Sequence, residues 1–156
     1  MAQTSIPTTM TPAFAGMLGD LTANVVLSYS AEGAIAIGRT VRLGTDKARQ
    51  VIQSSTATGQ GALVYGFALH DQAREQSSAG LVQYADKETV SVIREGNLWV
   101  ETNDAVVAGA VANLHLASGK LTDEVVASGI EALGGGLSVR FLTGTSAAGL
   151  ALVEIK

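Results

Sequence analysis

The sequence has no cysteine among its 156 residues. That absence excludes disulfides, thiolate metal sites and cysteine nucleophiles together, and it fits a protein made and assembled in a reducing cytoplasm. Charge is also scarce, at 15% of residues against roughly 25% in ordinary domains. Such a surface must be finished with Ser, Thr, Gly, Ala and Gln. Two readings fit: much of it is covered by other chains, or it is simply a Ser/Thr-rich exterior. Ten basic residues against fourteen acidic give a net charge of −4. The basic residues are scattered and form no run, which argues against direct nucleic-acid binding, where clustered Lys and Arg meet phosphates. No basic residue precedes Arg39, so no charged segment leads an apolar core as in a secretory signal. No apolar run approaches the roughly 18–20 residues of a membrane helix, so no membrane partner is expected.

The chain length suits one domain, and a chain of this size buries about 68–70% of its unfolded surface without staples. Both prolines, Pro7 and Pro12, fall in the first 24 residues, MAQTSIPTTMTPAFAGMLGDLTAN. Proline lacks the N–H that a central strand donates, so residues 1–24 read as an extended arm. Phe14, Met17 and Leu18 give that arm apolar anchors, which lie either on the arm's own domain or on a neighbour. From Val25 on, runs rich in Val, Ile, Leu and aromatics, most of them 4–8 residues long, alternate with Gly, Asn, Asp and Ser. Examples are VVLSYS (25–30), AIAIGRTVRL (34–43), ARQVIQ (48–53), LVYGFALH (63–70), LSVRFLTG (137–144) and LALVEI (150–155). The pattern predicts an all-β domain over 25–156, an antiparallel barrel-like or sandwich fold with short helical turns at most.

Three stretches leave the pattern open. DQAREQ (71–76) fits one helical turn or a polar loop. LTDEVVASGIEALGGG (121–136) has Val126, Ile130 and Leu133 near helical spacing, but Gly129 and the triple glycine favour irregular strand and loop. TVSVIREGNLWVETND (89–104) reads as a hairpin, with Glu95-Gly96-Asn97 as a three-residue loop between alternating apolar runs. In its second arm Trp99 lies either in the core or outward. If Leu98 and Val100 look inward, Trp99 looks outward and needs cover.

No residue constellation points to chemistry. His70 and His115 have no second ligand at metal spacing. His70 and Asp71 are neighbours, and neighbours in a strand face opposite ways. No serine sits in a G-x-S-x-G elbow. GTSAAGLA (144–151) has the glycine spacing of a P-loop, but Leu150 stands where the phosphate-binding Lys belongs. No catalytic, metal or cofactor residue is assigned.

Several stretches taken in order resemble the structural cement, or capsid decoration, proteins of tailed bacteriophages. They are PAFAGMLGD (12–20), AIAIGRTVRLG (34–44), LVYGFALHDQAREQ (63–76), VSVIREGNLWVET (90–102) and FLTGTSAAGLALVEI (141–155). The resemblance covers nearly the whole chain, least clearly at 118–136. It implies a β-barrel-like fold, no catalysis, a homotrimer and attachment to the major capsid protein on the outside of the virion. The contact candidates are Pro12, Phe14, Met17, Leu18 and Trp99. The rival reading is a tail or head-fibre module that binds a host glycan. Such modules expose aromatic platforms, and this chain has only seven aromatics. A third reading, a small hydrolase, would need Ser, Asp and His70 or His115 assembled from distant positions.

Overall fold

A computed structural model describes residues 13–20, 23–54, 56–71 and 82–156. Its strands, in chain order, are β1 (Val25–Ala31), β2 (Ile35–Ala36), β3 (Thr40–Leu43), β4 (Gln50–Gln53), β5 (Val64–Ala68), β6 (Gln83–Tyr84), β7 (Thr89–Glu101), β8 (Asn113–His115), β9 (Lys120–Thr122), β10 (Ile130–Ala132), β11 (Val139–Phe141) and β12 (Leu150–Ile155). A 3-10 turn, Gly61–Leu63, leads into β5. The all-β class read from the strand pattern is the fold found.

Five strands close into a barrel. β1 pairs with β4, β4 with β3, β3 with β5, β5 with β7, and β7 returns to β1. Four of these junctions are antiparallel, and β1–β4 is parallel over Ser30↔Gln50 and Ala31↔Val51. Beyond the barrel, β12 and β11 extend the sheet from β7, and β10-β8-β9 form a separate three-stranded sheet. Gly38, with φ +74, turns the chain between β2 and β3.

Alternation along the strands divides the apolar residues between two cores. Val41, Val51, Ala68, Val90 and Val92 pack with Ile35, Ile37 and Tyr84 inside the barrel. Tyr84 is fully buried, and its hydroxyl donates to the Leu69 carbonyl at 2.7 Å, so its polar tip is satisfied. Val64, Phe67 and Ile93 face the other way. They join Leu98, Val100, Leu114, Leu121, Phe141, Val153 and Ile155 in the core between the barrel wall and the added strands.

The hairpin expected at 89–104 is instead one strand of 13 residues, β7. Its first half pairs with β1, from Thr89 to Glu95, and its second half with β12, from Gly96 to Glu101. Ile93 and Leu98 both face the outer core although they are five residues apart. An unbroken strand would send them to opposite faces, so the phase must slip between them. The register supplies the slip: Val25 opposes Glu95 while Val26 opposes Ile93, leaving Arg94 over. Gly96, at φ +128, follows the bulge. The Glu-Gly-Asn signal is therefore a bulge and a change of partner, not a chain reversal.

No helix forms over 121–136. The segment supplies the end of β9, a turn with Gly129 at φ +86, and β10. Val126 is exposed while Ile130 is buried, so the near-helical spacing does not mark one buried face. The Glu131 carboxylate accepts the Gly59 and Gly61 N–H groups, which ties β10 to the 3-10 turn. Of DQAREQ, only Asp71 lies within the described residues.

Candidate interaction surfaces

Residues 13–20 lie along β7 by backbone hydrogen bonding. Gly16 N–H donates to the Trp99 carbonyl at 2.8 Å, Trp99 N–H to the Met17 carbonyl at 2.9 Å, and Gly19 N–H to the Asn97 carbonyl at 2.8 Å. A bridge joins Leu18 to Leu98. His70 N–H donates to the Gly16 carbonyl at 2.7 Å, so the segment is held from two sides. A Cβ at Gly16 would meet Ile37 and the His70 backbone, and the residue sits at φ +79; glycine is what this close approach requires.

This docking brings four of the sequence-predicted contact residues together. Leu98 and Val100 are buried, and Trp99, on the opposite face of β7, is half-buried. Leu18 packs on the outer core and Met17 is half-buried. Phe14 is 45% exposed and leans on the His70 ring, with centroids 4.3 Å apart. Pro12 lies outside the described residues.

A second surface escaped the sequence reading. Val107, Val111, Val125, Val126 and Leu142 are all exposed, Val125 by 85%. They belong to loops that cross-link to one another. The Asp123 carboxylate accepts the Val107 N–H at 2.8 Å, and Val111 bridges to Arg140, two residues from Leu142. The signal was present in the Val125-Val126 pair beside Asp123-Glu124, but nothing in the sequence says that a valine pair will face outward.

A third feature is a groove of about 500 Å³ at the barrel wall, lined by Arg42, Leu43, Lys47, Leu63, Val64 and Tyr65 among others. Beside it Tyr29 and Tyr65 share a hydrogen bond of 2.7 Å between their hydroxyls, with rings edge to face at 5.6 Å. Arg94 stacks on the Tyr65 ring, 4.4 Å from its centroid. Burial, then the hydrogen bond and charge of Tyr65, push the Tyr29 hydroxyl up to about 12. Nearby, the Glu32 carboxylate accepts both the hydroxyl (2.7 Å) and the N–H (2.6 Å) of Thr45, and these two bonds hold it below the usual carboxylate range.

The histidines take local roles. His115 Nδ1 meets Ser118 Oγ at 3.0 Å across the β8–β9 turn, while His70 packs on Phe14. Glu101 pairs with Arg39 at 3.0 Å and with Lys120 at 3.3 Å, fastening β9 to the barrel. Among the described residues no group of His, Asp and Glu is placed to hold a metal ion.

By architecture this is a small closed β-barrel braced by a second sheet. The same architecture occurs in a chain of a solved structure, "The capsid of Myoviridae Phage XM1", with a TM-score of 0.71, 19% sequence identity, and coverage of 96% of this chain and 94% of that one. The sequence matches no curated protein. It does match the family described as structural cement protein (E217 gp24/Pam3 gp6) over residues 2–156, and the chain belongs to that phage family.

Proposed function

We propose that the protein is a non-enzymatic virion component, made in the host cytoplasm, that attaches as a homotrimer to the major capsid protein on the outside of the capsid and stabilises the lattice. The match to the structural cement family across residues 2–156 carries this reading. The exposed aliphatic residues Val107, Val111, Val125, Val126 and Leu142 support it, since each leaves apolar surface that a partner would cover. A trimer spanning several capsid subunits touches each one modestly. Linked contacts raise the effective concentration of each, so weak patches add up to firm attachment. Binding to the assembled lattice alone then stabilises it by mass action.

The test uses capsids of the cognate phage prepared without this protein. Adding the purified chain should give saturable co-sedimentation and raise the temperature at which the capsids open. Capsids that neither bind it nor gain heat resistance would overturn the proposal. Light scattering should report three times the 15.9 kDa subunit mass, in solution or after release from the capsid.

Phe14, Met17, Leu18, Trp99 and Pro12 are proposed as one contact element, towards either the capsid or a sister subunit. Phe14 is the sharpest probe because it is half exposed and lies outside both cores. Phe14→Ser should weaken capsid binding or trimer formation several-fold while leaving thermal unfolding nearly unchanged. Wild-type binding and wild-type mass in this variant would remove residue 14 from the interface.

A further inference from the structure

The groove at the barrel wall combines an apolar lining with unpaired positive charge. Leu43, Val64 and the Tyr65 ring contribute to its lining, and Leu63 is 54% exposed beside them. Arg42 and Lys47 line the same space, and no carboxylate does. Neither cation has an ion-pair partner among the described residues, and the buried Arg42 Nε has no hydrogen-bond partner. Arg94 borders the groove through Tyr65 and the Gly135 carbonyl. Glu32, held by two hydrogen bonds from Thr45, attracts Arg42 without forming an ion pair with it. In a chain of net charge −4, two cations left without acids in one place are a local exception.

Elementary chemistry narrows what fits. A small free anion would meet the cations but leave Leu63 and the apolar walls in water. A purely apolar segment would cover the walls but press against the Arg42 and Lys47 charges, and covering an unpaired charge with apolar groups is costly. A carboxylate next to a large aliphatic side chain satisfies both, since the terminal nitrogens of a guanidinium donate to a carboxylate in a two-bond fork.

We propose that this groove is a docking site for an acidic-apolar segment of the capsid protein, in which an Asp or Glu meets Arg42 and Lys47 while a neighbouring aliphatic side chain covers Leu63. The proposal rests on the cement reading above.

The experiment measures binding to cement-free capsids over a range of NaCl concentrations for the full chain and for Lys47→Glu, Arg42→Glu/Lys47→Glu, Leu63→Ser and a control, Lys156→Glu, at an exposed position that does not line the groove. Thermal unfolding and solution mass accompany each variant. The double variant should lose at least tenfold in affinity at low salt and show a flatter salt dependence. Leu63→Ser should lose several-fold with the salt dependence retained, and the control should match wild type. Lys47→Glu, an exposed change, keeps the charge test available if the double variant unfolds. A photo-crosslinker at position 63 should capture a capsid peptide containing Asp or Glu. Capture of a second copy of this chain, capture of a capsid peptide with no acid, or a changed solution mass in the charge variants would overturn the proposal. Unchanged binding by the variants beside firm wild-type binding would sink the groove and leave the cement reading intact. Failure of the wild-type chain to bind would sink both.

Discussion

Tyr29 and Tyr65 show how far two residues distant in sequence can alter each other. Each hydroxyl can donate to the other, but ionising one leaves a charge that burial and the second tyrosine oppose. The sign follows directly. A group whose folded pKa lies above its unfolded value contributes stability that is complete below the unfolded value. For Tyr29 that contribution fades as pH rises from the ordinary 10.0 and is gone above about 12. Tyr65→Phe removes the hydrogen bond and the charge but keeps the burial, so Tyr29 should titrate part of the way back towards the ordinary value. Phenolate absorbance against pH measures this, and an unmoved Tyr29 curve in the variant would show that burial acts alone. Arg94 works in the opposite direction, since its charge favours the phenolate. None of this was legible beforehand, because no sequence rule brings position 29 to position 65.

At the scale of the element, β7 is where sequence and structure part most instructively. A short Gly-Asn run between alternating apolar residues is what a hairpin looks like, because a tight turn and a bulge draw on the same property, access to positive φ. What separates them is whether the flanking runs pair with each other or with third strands. That choice is made by β1 and β12, which lie 58 or more and 49 or more residues away in the chain. At 121–136 the spacing left a turn of helix open beside the favoured irregular strand and loop, and pairing with β8 makes the strand. By contrast, β1, β3, β4, β5 and β12 were readable because each falls in a short run rich in Val, Ile, Leu or aromatics between turn residues. The docking of residues 16–19 on β7 was not readable, although its apolar anchors were. Gly96 offers the test of the bulge. A Cβ there would land on Asn24 Oδ1, and φ +128 is a conformation side chains avoid. Gly96→Ala should therefore destabilise the protein by about 1–3 kcal/mol from backbone strain, with the clash in addition. Asn24→Ala in the same chain should recover the clash component alone. Chemical denaturation reads both, and a Gly96→Ala protein of wild-type stability would mean that the bulge lies elsewhere.

At the scale of the whole molecule, the two cores share a wall. Val90 and Val92 of β7 fill the barrel, while Ile93, Leu98 and Val100 of the same strand fill the outer core. Truncating Ile93 to alanine should remove about 2–5 kcal/mol. That loss should be felt by the barrel and the added sheet together. A covalent strand common to both leaves neither core a separate unit to melt. Calorimetry should accordingly show one heat-absorption peak, with its measured enthalpy equal to the van't Hoff value. Two resolved peaks would show that the bulge at residues 94–96 acts as a joint. With one peak, the molecule has no half-open state in which an edge of β7 lies bare for another copy to pair with. A protein built this way would fail all at once or not at all, and would shed no partly unfolded intermediates to seed aggregation.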